Sequence, residues 1–270
     1  MEISFTIIKL SQFNANPALI HYKALRQVFA YLNHTRDDGL IYWRPQPRDD
    51  LPAASTPTQR SNPHNRLPVY QQPPHSLLAY SDSDWGSDIS HRRSVSGTVI
   101  LLSGAAVLYS TKFQQKAIAL SSTEAEFVSA SETGKYALYL RSLLTDLGFT
   151  QSDPTTLLID NTGAVFMVDA QAPTRRTRHV DIRYFALLQW SDTGQVKAQF
   201  IPTAHNISDS LTKPTGRTKL HQHADLFMGR APPVLCPIHR TRHGNTQLLV
   251  LVDTSPAGAQ HSFCSVPSNP

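Results

Sequence analysis

Hydrophobic and polar positions alternate differently along four parts of this chain of 270 residues. Residues 1–44 carry an amphipathic helix whose expected N-cap is Asn16, followed by a proline that suits the first helical position. Residues 45–75 are rich in proline, serine and charge, which predicts a flexible insert. Residues 76–230 combine apolar runs with helical periodicity and form the expected ordered domain. Residues 231–270 contain several prolines and little periodicity, so we expect a poorly ordered tail.

The spacing of apolar residues predicts the order of strands and helices in this domain. A spacing of two residues indicates a strand, and a spacing of about 3.6 residues indicates a helix. The predicted strands cover 76–81, 95–102, 105–110, 155–159 and 196–201, and the predicted helices cover 121–147, 162–168 and 180–191, with a last helix from 208. Three antiparallel strands followed by alternating helices and strands predict an α/β fold, a mixed sheet with helices on both faces.

The amino-acid composition excludes few classes of function. The net charge of +5 and the pI of about 9.3 fit a polyanionic partner, but they also occur in ordinary basic proteins. Both cysteines, Cys236 and Cys264, lie in the tail, so a disulfide framework does not hold the core. No leader sequence and no run of about 20 apolar residues is evident. We therefore expect an intracellular protein without a membrane span, in cytoplasmic particles or in the nucleus.

Four acidic residues stand at the ends of predicted elements: Asp82, Glu124, Asp160 and Asp209. Each alone has an ordinary explanation, as a turn residue, a capping-box glutamate, an N-cap or an acid in the first helical turn. Periodicity does not separate Glu124 from Glu126. Carboxylates that converge would bind Mg²⁺ through oxygen, and two such ions can drive phosphodiester hydrolysis.

The chain resembles the ribonuclease H domain of Copia-type (LTR) retrotransposon Pol polyproteins in six motifs spread over about residues 76–215. In order they are Y-S-D-S-D-W, R-R-S-V-S-G, Q-K-A-I-A-L-S-S-T-E-A-E-F, L-I-D-N, R-H-V-D-I-R-Y and I-P-T-A-H-N-I-S-D-S-L-T-K-P. Residues 1–44 resemble the C-terminal segment of the reverse transcriptase that precedes this domain. The resemblance implies a ribonuclease H-like fold, with a five-stranded mixed sheet whose first strands are antiparallel.

The resemblance also implies a site and an activity. Asp82, Glu124, Asp160 and Asp209 would be the catalytic acids and would hold two Mg²⁺ ions, with Mn²⁺ as an alternative; Glu124 is chosen over Glu126 on this ground alone. The implied reaction is endonucleolytic cleavage of the RNA strand of RNA–DNA hybrids. The implied partners are the hybrid and the reverse transcriptase part of the parent polyprotein. A Tyr-x-Asp-Asp turn is missing from the sequence, so we expect no polymerase activity from this chain alone.

Three further features leave alternatives open. A basic run would contact the phosphates of the hybrid or form a solvated loop; it consists of Arg175, Arg176, Arg178, His179 and Arg183. His205 precedes Asp209 by four residues and is an auxiliary candidate, although the intervening loop is short. The spacing of Cys236 and the following histidines fits no regular zinc finger.

Two other functions compete with the ribonuclease. A non-catalytic relic of a retroelement would keep the fold and bind nucleic acid without cleaving it. An integrase is less consistent with the sequence, because integrase sites usually use three acids and lack this hairpin-to-helix layout.

Overall fold

A computed structural model describes residues 1–42, 75–86, 92–114, 119–169 and 186–231, together with the backbone of 239–240 and 246–247. All of the predicted insert except residue 75, and nearly all of the predicted tail, including Cys236 and Cys264, lie outside the described residues. Within the described ranges, no helix combines the length and the apolar character that a membrane span requires.

One five-stranded sheet forms the centre of the domain. Its strands are β1 (Leu77–Asp84), β2 (Val95–Leu102), β3 (Ala105–Phe113), β4 (Thr155–Ile159) and β5 (Val196–Phe200). They lie in the order β3-β2-β1-β4-β5. Strand β2 is antiparallel to β1 and β3, whereas β4 is parallel to β1 and β5. The prediction of a five-stranded mixed sheet with antiparallel first strands is confirmed.

Within the described ranges, six α-helices accompany the sheet: α1 (Ser4–Ser11), α2 (Leu19–His34), α3 (Ser122–Asp146), α4 (Thr162–Asp169), α5 (Ala186–Asp192) and α6 (Arg217–Phe227). Helix α1 was not predicted. Helix α2 starts two positions later than its predicted first residue, where the amide of Ala18 donates to Nδ1 of His21. The predicted helix from 208 is a separate 3-10 helix, Ile207–Leu211, which precedes α6 and is called the short helix below.

Helices cover both faces of the sheet, as the sequence predicts. On one face, side chains such as Ala79 and Leu157 pack against α3, α4 and α5, with Phe127 at the centre of the contact. On the other face, Tyr80 and Leu158 pack against the short helix and α6. Because alternate side chains of β1 point to opposite faces, Asp82 lies on the same face as Tyr80. The end of β1 therefore presents its carboxylate toward the short helix.

The N-terminal residues pack onto this domain. The Tyr42 hydroxyl donates to the carbonyl of Ala106 at 3.0 Å, and the Ile41 amide donates to the carbonyl of Met228 at 2.7 Å. An ion pair of 2.7 Å joins Asp38 to the Arg230 guanidinium. Residues 1–42 are thus connected by hydrogen bonds to the edge strand β3 and to the end of α6.

A glycine in β2 allows the short helix to approach the sheet. Gly97 pairs with Asp82 across the β1–β2 ladder. A Cβ atom at Gly97 would lie 2.7 Å from Cγ2 of Thr212 and 2.9 Å from the carbonyl oxygen of Ser208. The second contact is with backbone, so a side chain here would push the short helix away. Gly97 therefore permits Asp209 to reach the level of Asp82.

Candidate active site

Three of the four predicted acids meet at the C-terminal ends of the parallel strands β1 and β4. One carboxylate oxygen each of Asp82, Asp160 and Asp209 lies within 4.8 Å of the other two. Asp82 belongs to β1 and Asp160 directly follows β4, its parallel neighbour, so both strands deliver an acid to the same edge. Asp209 comes from the short helix, whose N-cap Asn206 bonds to β1 and which lies close to Gly97 of β2.

Asp82 is almost fully buried, with 1% of its surface exposed. The hydroxyl of Thr212 donates to its carboxylate, and the hydroxyl of Ser129 donates to its main-chain carbonyl at 2.7 Å. Burial raises the pKa of Asp82 to about 7, and the charges of Asp160 and Asp209 act in the same direction. A negative charge at this position is therefore costly until a cation accompanies it.

Asp160 is available to the cluster because its neighbour caps the next helix. The amide of Ala164 donates to the side-chain oxygen of Asn161 at 3.0 Å. The N-cap function, which the sequence left open for Asp160, thus belongs to Asn161. Burial raises the pKa of Asp160, while a hydrogen bond from Thr203 opposes this shift.

Asp209 is held in place by a buried asparagine that the sequence analysis missed. Asn206 caps the short helix, because its side-chain oxygen accepts from the amide and the hydroxyl of Ser208 at 3.2 and 2.6 Å. Its side-chain nitrogen donates to the carbonyl of Ser81 in β1 at 2.9 Å. An asparagine three residues before the predicted helical acid was the available signal. Its hydrogen bond to β1 joins residues that lie 125 positions apart, so the sequence alone could not predict this contact.

Two lysines contact the cluster at Asp209. The ammonium groups of Lys213 and Lys219 pair with different oxygens of its carboxylate. Burial by itself lowers the pKa of Lys213, but the charges of the three aspartates outweigh burial and raise it. Both ammonium groups therefore offset part of the negative charge of the carboxylates.

The glutamate of α3 that lies nearest to the end of β1 is Glu126, whereas Glu124, the residue expected from the resemblance, lies at the start of the helix; a metal role of Glu124 stays a prediction. Glu124 accepts a hydrogen bond from the amide of Leu120 at 2.8 Å, and its own amide donates to the hydroxyl of Ser121, the N-cap of α3. The structural alternative for Glu124, a capping residue, is the observed arrangement.

Glu126 instead reaches across to β1. Its carboxylate accepts from the amide of Ser83 at 3.0 Å, one residue beyond Asp82. Burial raises the pKa of Glu126 to about 9, and the charges of Asp82 and Asp160 add to this rise. Glu126 is not one of the three residues whose oxygens lie within 4.8 Å of one another. It nevertheless interacts electrostatically with two of them, Asp82 and Asp160.

The other predicted site residues are placed differently or lie beyond the described ranges. His205 ends the 3-10 helix Thr203–His205 and is half-buried. Its charge helps to lower the pKa of the buried His223, although burial is the main cause. An auxiliary role of His205 stays a prediction. The basic run Arg175, Arg176, Arg178, His179 and Arg183 lies outside the described residues.

The donor set fits a hard divalent cation. All the candidate ligands are carboxylate oxygens, the ligand type that Mg²⁺ and Mn²⁺ prefer. Burial raises the pKa values of Asp82 and Glu126, and neighbouring carboxylates add to the rise, so ionised carboxylates are costly at this site. A bound divalent ion would offset the free-energy cost of ionising these carboxylates. Isolated carboxylates on the surface have no such cost.

We expect the stabilisation of the protein by Mg²⁺ to increase between about pH 6.5 and about pH 8.5. The folded-state pKa values of Asp82 and Glu126 lie above ordinary carboxyl values, so the folded protein binds protons that unfolding releases. The metal-free protein therefore loses stability as the pH rises toward about 7 for Asp82 and about 9 for Glu126. Mg²⁺ binds the ionised carboxylates, so its benefit increases over the same range.

The measurement is the melting temperature in Mg²⁺ minus that in EDTA, taken at several pH values. Groups far from the metal cancel in this difference. The range begins above the ordinary pKa of histidine because His223, whose pKa burial lowers to about 4, affects stability in the opposite direction at lower pH. A difference that does not change with pH would contradict the assignment of a carboxylate metal site.

Comparison with known proteins identifies relatives that match most of this chain. The retrovirus-related Pol polyprotein from transposon RE1 of Arabidopsis thaliana is 29% identical over 233 residues, 86% of this chain and 14% of that protein. The polyprotein from transposon TNT 1-94 of Nicotiana tabacum is 29% identical over 218 residues, 81% of this chain and 14% of that protein. The chain thus spans about one seventh of the length of these curated relatives. No family model matches it.

Among solved structures, LC11-RNase H1, isolated from compost by a metagenomic approach, is 14% identical to this chain. The match has a TM-score of 0.39 and covers 51% of this chain and 93% of that one. A likeness at this level carries no weight here, so the fold is judged by its strand order. Both transposon polyproteins match it over more than four fifths of its length, so this chain is similar to the retrovirus-related Pol polyproteins of transposons, and the strand order of its sheet agrees with the ribonuclease H-like fold expected from the sequence.

Proposed function

We propose that this chain is a metal-dependent endoribonuclease that cleaves the RNA strand of RNA–DNA hybrids. The observation that carries the proposal is the convergence of Asp82, Asp160 and Asp209 within 4.8 Å in a chain related to transposon Pol polyproteins. Glu126 is the fourth proposed ligand, because the charges of Asp82 and Asp160 act on it. This set replaces the set with Glu124 that the resemblance implied.

Divalent ions held by these carboxylates would generate the attacking hydroxide and stabilise the leaving 3′ oxygen. The protein's own contribution is to hold the ligands still before the substrate arrives. Thr212 fixes the carboxylate of Asp82, and the Asn206 cap ties the short helix of Asp209 to β1. The backbone amide of Ser83 orients Glu126. Burial of Asp82 and Asp209 keeps water from competing for these oxygens.

The proposed substrate is recognised by shape and backbone rather than by sequence. A hybrid has a wide minor groove that displays 2′-hydroxyl groups on one strand only, so contacts to sugars and phosphates distinguish it from duplex DNA. The basic run from Arg175 to Arg183 remains the proposed phosphate contact from the sequence. The reverse transcriptase part of a parent polyprotein remains the proposed protein partner.

The test is cleavage of an end-labelled RNA–DNA hybrid by the purified chain in Mg²⁺. We expect cleavage of the RNA strand in the hybrid, and no cleavage of the same RNA as a single strand or as an RNA duplex. EDTA should stop the reaction. Binding of the hybrid without cleavage in either Mg²⁺ or Mn²⁺ would contradict the proposal and favour the non-catalytic relic.

A further inference from the structure

Lys219 has no part in the hydrolysis described above, although its ammonium group reaches the carboxylate cluster. It lies in the first turn of α6 and pairs with Oδ2 of Asp209, while Lys213 pairs with Oδ1. Each oxygen of Asp209 therefore contacts an ammonium group. A divalent ion draws on the same oxygen lone pairs. Binding of an ion at Asp209 must consequently weaken at least one of these two contacts.

Helix stability does not account for a lysine at this position. Helix α6 begins after Gly216, which supplies no side-chain cap. Its first turn contains Arg217 and Lys219 and no acidic residue, whereas negative charge stabilises a helix start. The first turn of α6, next to the candidate site, therefore lacks the negative charge that a helix start prefers. Such a conflict between local and global preference is typical of residues retained for function.

Lys219 also lies on the solvent side of Asp209. Its side chain is 31% exposed, whereas that of Asp209 is 2% exposed. Its second contact, with the carbonyl of Thr203, is long at 3.4 Å. Once released from Asp209, the ammonium group would keep, among the described residues, only this weak hydrogen-bond partner. An anion that reaches the cluster from solvent would meet Lys219 at the rim.

We propose that Lys219 exchanges partners during loading of the site. In the metal-free protein it holds the carboxylate of Asp209; when divalent ions bind Asp209, it binds a phosphate of the nucleic-acid backbone next to the cleaved bond. The ligand class is a phosphodiester, which a lysine contacts as a point charge. This inference rests on the proposed nuclease function, since it requires a nucleic acid at the carboxylates.

Partner exchange links metal binding to substrate binding. The ion displaces the cation from Asp209, and the phosphate then stabilises the displaced cation. Each ligand therefore favours the other, which is a coupling between the two sites. A lysine that only braced Asp209 would be needed equally for both ligands, so the two roles predict opposite changes in metal affinity.

The experiment compares Lys219→Met with the wild type in two binding measurements. For Mg²⁺ alone, followed by thermal unfolding without nucleic acid, we expect about fivefold tighter binding, because the competing ammonium group is gone. For a fluorescein-labelled RNA–DNA hybrid in Ca²⁺, with its integrity checked on a gel, we expect about fivefold weaker binding. The slope of log affinity against log salt should also fall by about 0.9, the loss of one phosphate contact.

Two further variants complete the design. Lys219→Arg keeps the charge and should retain the hybrid affinity and its salt dependence. Lys135→Met is the matched control, because Lys135 pairs with Glu132 on the surface of α3, and it should change neither measurement. If Lys219→Met fails to fold, Lys219→Gln serves in both assays.

Unchanged or weaker Mg²⁺ binding in the folded Lys219 variant would overturn the exchange, and so would an unchanged salt slope for the hybrid. These outcomes can be separated from failure of the nuclease itself. A wild-type chain that cleaves hybrids while Lys219→Met behaves like wild type in both assays refutes only the role of Lys219. A wild-type chain that neither binds nor cleaves hybrids refutes the proposed function and the partner exchange together.

Discussion

Replacing Asp82 by asparagine should abolish Mg²⁺-dependent cleavage of the hybrid while leaving the protein folded. Asp82 is 1% exposed, and the hydroxyl of Thr212, the residue that follows the short helix, donates to its carboxylate. Asparagine has the same shape and can still accept from the Thr212 hydroxyl, so the change removes charge and little else. We expect the rate to fall by about 10²–10³ or more, measured as initial cleavage under single-turnover conditions.

The metal-free stability of this variant supplies the control. The raised pKa of Asp82 means that its ionised form is disfavoured in the fold, mainly by burial. The neutral amide should therefore melt at the same temperature as the wild type or higher when both are in EDTA at about pH 8. A folded Asp82→Asn protein that kept more than about a tenth of the wild-type rate would refute a central role for Asp82.

Glutamine at position 126 should be far more damaging than glutamine at position 124. The charges of Asp82 and Asp160 act on Glu126, and replacing its carboxylate by a neutral amide would remove a proposed metal ligand. We expect Glu126→Gln to lose about 10²-fold or more in cleavage rate and to bind Mg²⁺ more weakly. Its amide oxygen can still accept from the Ser83 amide, so the fold should be retained.

Glu124→Gln is the matched variant, two residues away on the same helix. Its amide oxygen can still accept from the Leu120 amide and keep the start of α3 capped. We expect a loss of less than about 1 kcal/mol in unfolding free energy and a cleavage rate within about threefold of wild type. Measuring both variants side by side separates the two assignments. The reverse ranking would restore Glu124 and reject the placement of Glu126.

Several elements were predictable because one physical rule dominated each of them. The runs at 95–102 and 155–159 are mainly apolar or β-branched, and the observed strands β2 and β4 have the same limits. Both strands lie inside the sheet with helices on either face, so burial alone selects apolar residues there. The start of α3 was also predictable, since Ser121 caps it locally.

Other features depended on contacts between distant parts of the chain. Asn206 bonds to Ser81, and Gly97 makes room for Ser208 and Thr212. None of these pairs is close in sequence, and a glycine inside a strand has several meanings when read alone. The start of α2 was predicted two residues early for a related reason. A histidine side chain one turn into the helix, His21, caps the helix by bonding to Ala18, and asparagine with proline was the stronger local signal.

The sequence by itself determined the order of strands and helices, the positions of three aspartates at their ends, and the relation to transposon polyproteins. These depend on hydrophobic period and on the order of motifs, both of which are local or linear properties. Tertiary structure alone decided that Glu126 and not Glu124 lies nearest to the end of β1, that Asn161 and not Asp160 caps α4, and that two lysines pair with Asp209. The reason is that a carboxylate's role depends on its neighbours in space, which set its desolvation and its charge interactions.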